Sequence, residues 1–120
     1  MKRISPLLFS GFGSWVYALI KTDGQMQSVD SLNARLILLE QGSHGVQAVH
    51  AFQLCEHYKK SVEEAYLTAL QCFVAHKKDL TDEVKEYFIH LMMKIVRSDN
   101  RITVNETRFF RKFKTDLSNI

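Results

Sequence analysis

Ile95-Val96-Arg97-Ser98-Asp99-Asn100-Arg101-Ile102 is the stretch on which the fold turns, because the chain carries its pattern twice. The earlier copy reads Leu19-Ile20-Lys21-Thr22-Asp23-Gly24-Gln25-Met26. An acid then recurs at Asp30 and at Glu106, and the offset between the copies stays at 76 residues throughout. Asp23 and Asp99 each end an apolar, helix-like run. Gly24 and Asn100, which follow them, are the residue types that most readily take a positive φ. A long-range repeat bears on the whole architecture. It predicts two related helix-turn-helix units within one domain spanning residues 1–120.

Each copy reads as a rigid helix-to-helix corner. In the second, Asn100 supplies the left-handed turn and Ile102 is expected to fold back onto the core. Thr103 and Glu106 then open the next helix as a capping box. In the first, Gly24 makes the easier turn, but Gln27 replaces the capping Thr. Asp30 keeps an acid where it favours the helix dipole.

Working outward, the periodicity is helical almost throughout, and no alternating strand stands out. Ser5-Pro6 is a helix start, with Pro at the first helical position. Phe12, Trp15, Val16, Leu19 and Ile20 form its apolar stripe. Gly11 and Gly13 each disfavour a helix interior by about 1 kcal/mol against Ala, so this helix is expected to be firm only from Ser14. A second helix is expected from Ser28 to a stop at Gly42, with Val29, Leu32, Leu36 and Leu39 as its buried face. A third, from about Ser43 to Lys59, scatters Val46, Val49, Phe52, Leu54 and Tyr58 around its cylinder. Ser61 and Glu64 form another capping box, ahead of Val62, Ala65, Tyr66, Ala69, Leu70 and Phe73. Thr81 caps a fifth helix, with Asp82 and Glu83 in its first turn and a stripe of Val84, Tyr87, Phe88, Leu91, Met92 and Ile95. The last helix carries Phe109, Phe110, Phe113 and Leu117. The expected fold is all-α: one compact bundle of about six helices with two pseudo-repeated units.

Composition agrees with a globular domain. The chain has 120 residues, 46% hydrophobic and 24% charged, enough to bury a core without disulfides. Its net charge of +3 is lower than dedicated nucleic-acid binders concentrate. Two cysteines, Cys55 and Cys72, make no disulfide scaffold and read as packed, reduced thiols of a cytoplasmic protein. Lys2-Arg3 followed by an uncharged run from Ile4 to Ile20 superficially resembles a signal peptide or membrane anchor. Five Ser and Gly residues dilute that run, it is short for a span, and its last turn is the first copy of the repeat. It is therefore expected to belong to the fold, with peripheral membrane contact left open.

An apolar helix, then Asp-Gly-x-apolar-Ser/Thr-x-x-Glu, then another apolar helix resembles the TerB-like family of tellurite-resistance proteins. That group includes the TerB-like domain of DjlA-type co-chaperones. The resemblance covers about residues 14–117. Asp99, Ile102, Thr103 and Glu106 match in the second copy, and Asn100 departs from Gly. Asp23, Gly24 and Met26 match in the first, and Gln27 and Asp30 depart. No His-Pro-Asp triplet of a J-domain is present, so co-chaperone activity does not carry over. The resemblance implies an all-helical fold, bacterial stress-related contexts, and an interaction or metal-associated role without an established catalytic reaction.

The candidate chemistry is sparse. Asp23, Asp30, Asp99 and Glu106 offer oxygen ligands to a divalent cation if the two corners converge, although neither corner resembles an EF-hand loop. Helix capping is the simpler role for these acids. Cys72 and His76 stand one helical turn apart, without a further close ligand. His50 and His57 lie about 10.5 Å apart along a helix, too far to share an ion. Arg108, Arg111, Lys112 and Lys114 alternate with Phe109, Phe110 and Phe113, a mixture that binds single strands when the rings are exposed. A solvated basic face over a phenylalanine core is the plainer reading, and nucleic acid is not the expected partner. Phosphate-cradling loops, metalloprotease His pairs and nucleophile elbows are missing. The expected function is a non-enzymatic helical interaction module, with an unidentified protein partner and no cofactor. A metal-responsive module built on the acidic corners is the alternative, and weak nucleic-acid binding through the last helix is the second. Oligomeric state is not legible in the chain.

Overall fold

A computed structural model describes residues 4–22, 28–98 and 102–120, with backbone alone for 28–30. The described residues form six α-helices and hold no strand: α1 Pro6–Lys21, α2 Ser28–Leu39, α3 Ser43–His57, α4 Val62–Ala75, α5 Asp82–Val96 and α6 Val104–Ser118. A short 3-10 turn at Lys77–Asp79 joins α4 to α5. The radius of gyration is 12.9 Å, close to the roughly 13.6 Å expected of a packed chain this long.

α1 is the centre of the molecule. Every residue from Gly11 to Ile20 is buried, and α3 and α4 pack along most of its length. A helix apolar on all sides belongs inside a protein or a membrane. Here it is enclosed by its own chain. Its 16 residues span about 24 Å, against a hydrocarbon core of about 30 Å. No helix among the described residues is long and apolar enough to cross a membrane. The run that resembles an anchor is therefore the core helix.

α1 is also continuous from Pro6, contrary to the expectation that its glycines delay it to Ser14. Gly13 lies against the α3 backbone, where an added Cβ would overlap the Ala48 carbonyl. The close crossing of α1 and α3 offsets the propensity cost of the glycine. Ser5 caps the helix by accepting from the Leu7 amide.

The other caps fall where the chain places them. Ser61 with Glu64, and Thr103 with Glu106, both close reciprocal capping boxes. Thr81 accepts from the Val84 amide at 3.2 Å. Gly42 takes a φ of 83° between α2 and α3. The core stripes of α4, α5 and α6 are buried as expected, through Tyr66, Phe73, Phe88, Met92, Phe113 and Leu117 among others.

Two further expectations fail. α2 does not bury its leucine stripe: Leu32, Leu36 and Leu39 are 49%, 51% and 47% exposed. It buries Ser31, Ala34, Ile37 and Leu38 instead. Ser31 and Ala34 are small enough to let α2 lie close to its neighbours, and Gly45 of α3 sits directly against the Leu38 carbonyl. Ile102 does not fold back onto the core either and is 51% exposed. Thr103 and Glu106 start α6 without needing that anchor.

Candidate functional site

Along α5, His90, Met93, Lys94 and Arg97 follow at helical spacing and line one side of a groove. Ile37 of α2 and Ser98 complete the described lining of this cavity, whose volume is about 540 Å³. Ile37 is buried and Met93 half-buried, so they form an apolar floor. His90, Lys94 and Arg97 are exposed along its α5 side, where Lys94 and Arg97 supply positive charge. Just beyond the end of α2, the Glu40 carboxylate meets the Lys94 ammonium at 3.6 Å, with both side chains more than half exposed. An ion pair so exposed contributes at most about 1 kcal/mol and leaves Lys94 able to exchange partners.

Glu40 ties the groove to the leucines of α2. It stands one helical turn beyond Leu36, on the same face, because residues four apart on a helix are neighbours. Leu32, Leu36 and Leu39 share that face at positions i, i+4 and i+7. An apolar stripe thus stands exposed along α2. Next to it, the Tyr87 hydroxyl donates to Gln41 Oε1 at 2.5 Å, and the Gln41 amide donates to the Ile37 carbonyl at 3.2 Å. These bonds hold the end of α2 against α5. Periodicity alone did not single out this groove. Its one signal was the spacing of His90, Lys94 and Arg97, which also suits an ordinary solvated face. The adjacent methionines divide: Met92 is fully buried filler, and Met93 lines the groove.

The motif acids stand as follows. Glu106 is the third residue of α6. Its carboxylate accepts from the Thr103 amide at 3.1 Å, and the Thr103 hydroxyl accepts from the Glu106 amide at 3.0 Å. Asp23, Gly24, Asp99 and Asn100, and the side chain of Asp30, lie outside the described residues. Among the described residues, no group of three or more His, Cys, Asp or Glu side chains is placed to share a metal ion.

The thiols are not activated. The Cys72 thiol donates to the Leu7 carbonyl at 3.1 Å, and His76 Nδ1 lies 2.8 Å from the Cys72 carbonyl oxygen. Burial pushes the Cys72 thiol above its ordinary pKa, and burial does the same at Cys55 beside Ser14. A nucleophilic or metal-binding cysteine needs the opposite shift. His50 and His57 are both exposed.

On α6, Phe109 and Phe113 are buried and Phe110 is half-buried, while Arg108, Arg111, Lys112 and Lys114 are exposed. The rings that would stack on bases therefore serve the core. Lys112 spends part of its charge on Tyr66, with Nζ 4.2 Å from the ring centroid. Tyr66 in turn donates to Asp116 Oδ2 at 2.5 Å. Burial, followed by the hydrogen bond and charge of Asp116, raises the Tyr66 hydroxyl well above its ordinary pKa. Trp15 Nε1 is buried without a hydrogen bond of ordinary geometry, yet near enough to Tyr66 to offset part of that rise.

Comparison with protein-family models, with curated proteins and with solved structures gives no match.

Proposed function

We propose that the chain is a non-catalytic helical interaction module of the TerB-like kind, and that it holds a protein partner on the exposed leucine face of α2. One observation carries this reading: Leu32, Leu36 and Leu39 stand in solvent as an ordered stripe, not as scattered apolar residues. Contiguous apolar patches bordered by polar residues mark association sites, whereas single exposed leucines need no explanation. The resemblance to TerB-like proteins supports the same class of role.

The test compares proteins retained from lysate by the native chain with those retained by a Leu32→Glu/Leu36→Glu variant. Both residues are exposed, so the variant is expected to fold, and circular dichroism checks that it does. A set of proteins retained by the native chain and lost by the variant is the expected result. Identical sets from two folded proteins would remove this face as the binding surface.

A further inference from the structure

We infer that the solvent face of α6 is a docking surface for an anionic lipid bilayer. Its cations lie on the headgroup phosphates, and Val104, in the first turn, enters the boundary between headgroups and acyl chains. The surface shares no residue with the leucine face of α2.

The surface belongs to a single helix. Phe109, Phe113 and Leu117 turn the core side of α6 into the bundle. Val104, Arg108 and Arg111 fall at i, i+4 and i+7 on the opposite side, a row about 10.5 Å long. All three are exposed, Val104 by 67%. Lys112 and Lys114 flank the row and are exposed too.

Within the described residues this charge is uncompensated: no ion pair joins Arg108, Arg111, Lys112 or Lys114 to a carboxylate. α6 has two acids, and both are drawn off the row. The Glu106 carboxylate accepts from the Thr103 amide, and Asp116 accepts from the Tyr66 hydroxyl of α4. Lys112 rests over the Tyr66 ring, a contact that holds its position without neutralising it. Four cations against two acids place two of the chain's three net positive charges on this helix.

The company of the charges selects lipid among polyanions. Single-stranded nucleic acid rewards cations joined to exposed rings, and here Phe109 and Phe113 are buried and Phe110 half-buried. A duplex backbone takes the cations and leaves an exposed valine in water. A bilayer rewards both, through anionic headgroups that attract basic side chains and a boundary that buries aliphatic ones. Ile102, two residues before Val104, is 51% exposed, so the start of α6 presents two aliphatic side chains. Contact of this kind is peripheral and reversible. It requires no spanning helix, and no helix among the described residues is long and apolar enough to be one.

The test is sedimentation of the full chain with phosphatidylcholine vesicles and with equimolar phosphatidylcholine–phosphatidylglycerol vesicles. Arg108→Gln/Arg111→Gln removes charge from the row. Lys77→Gln/Lys78→Gln removes equal charge from the exposed turn between α4 and α5. Val104→Ser removes the aliphatic side chain alone. Each substituted position is exposed, so the variants are expected to fold, and circular dichroism checks that they do. Anisotropy of a fluorescein-labelled DNA duplex is read beside the vesicles. The native chain is expected to bind the anionic vesicles and not the neutral ones. Binding should be about tenfold or more weaker in Arg108→Gln/Arg111→Gln and about threefold or more weaker in Val104→Ser, and should fall as salt is raised. Lys77→Gln/Lys78→Gln should bind nearly as the native chain does.

An equal loss in Lys77→Gln/Lys78→Gln overturns the inference, since net charge would then suffice without α6. Unchanged binding in Val104→Ser overturns it as well, because contact through charge alone does not single out lipid. Equal binding to neutral vesicles, or no binding to anionic vesicles at low salt, removes the bilayer as the occupant. Duplex binding that disappears in Arg108→Gln/Arg111→Gln, without vesicle binding, assigns the face to nucleic acid instead.

Discussion

Lys59 holds a φ of 52°, in the left-handed region. A residue with a Cβ is disfavoured there by about 1–2 kcal/mol. The turn keeps it because α3 ends in a Schellman arrangement: the Lys59 amide donates to the Glu56 carbonyl at 3.2 Å, and the Lys60 amide to the Cys55 carbonyl at 3.1 Å. This turn delivers the Lys60 carbonyl to α1, where it accepts from the Tyr17 hydroxyl at 2.7 Å and from Lys21 Nζ at 2.9 Å. Lys59→Gly relieves the strain, and the greater freedom of an unfolded glycine takes back part of the gain. The net expectation is about 0.5–1 kcal/mol of added stability, read as a higher urea midpoint at unchanged slope. A lower midpoint would mean that the left-handed turn carries no strain. Gly13 is the opposite case. Helix propensity alone favours Gly13→Ala by about 1 kcal/mol. The new methyl would press on the Ala48 carbonyl, and backbone cannot rotate aside as a side chain can. Overpacking of this kind costs about 1–3 kcal/mol. A net loss near 1 kcal/mol is expected in the same urea experiment, and a gain would show that α1 and α3 do not cross so closely.

At the level of whole elements, α2 shows where the sequence could be read and where it could not. Helix starts were legible because caps are local chemistry: Ser61, Thr81 and Thr103 each bond an amide three residues on. The buried face of α2 was not, because its pattern serves two faces. Leu32, Leu36 and Leu39 repeat helically, and so do Ser31, Ala34, Ile37 and Leu38. Periodicity says that a stripe is apolar, not what covers it. Closeness to α3 decided the matter, and Gly45 enforces that closeness at a position where sequence alone shows only a missing side chain. The Lys94 and Arg97 side of the groove is not legible in the sequence for a related reason, since charges at helical spacing are the ordinary content of a solvated face. Leu36→Lys is accordingly expected to change stability by less than about 0.5 kcal/mol, whereas Ile37→Ala loses about 2 kcal/mol or more. Thermal or urea unfolding of the two variants checks this, and a reversed order would restore the leucine face to the core. The capping box of α4 makes a separate prediction. The Ser61 backbone hydrogen bond, then its hydroxyl, holds the Glu64 carboxyl below its ordinary value of 4.5. Its folded pKa being depressed, the stabilisation is full above that value and is lost as pH falls through the lower folded one. Melting temperature should decline less steeply below about pH 4.5 in Glu64→Gln than in the native chain. An unchanged acid limb would show that the box contributes nothing through charge.

Across the molecule, α1 makes the core a single unit. Trp15 is fully buried, with ring centroids 4.6 Å from Phe73 of α4 and 4.8 Å from Phe113 of α6. As the chain has one tryptophan, its fluorescence reports the centre while circular dichroism reports every helix. The two urea transitions should coincide, as they do when a small domain unfolds in one step. An earlier fluorescence transition would mean that α1 leaves before the outer helices melt. Tyr66 extends the same argument to high pH. It is 7% exposed, packs edge-on against Trp15, and bridges α4 to α6 through Asp116. Burial first, and then the Asp116 carboxylate, raises its hydroxyl above the ordinary value of 10. Burial raises Tyr87 as well. The direction follows from which state holds the proton. Below pH 10 both the folded and the unfolded chain keep these phenols protonated, and stability is unaffected. Above it the unfolded chain releases protons that the folded chain retains, so stability falls as pH climbs towards the folded values. Each phenol steepens that fall by at most about 1.4 kcal/mol per pH unit. Tyr66→Phe should flatten the alkaline limb of urea stability above about pH 10, and Tyr87→Phe should do so independently because Tyr87 bonds Gln41 and takes no part in the α4–α6 bridge. Tyrosinate absorbance of the native chain should meanwhile rise in two stages, the second coinciding with loss of helix. A single rise near pH 10 with the helices intact would place Tyr66 in solvent and dissolve the bridge between α4 and α6.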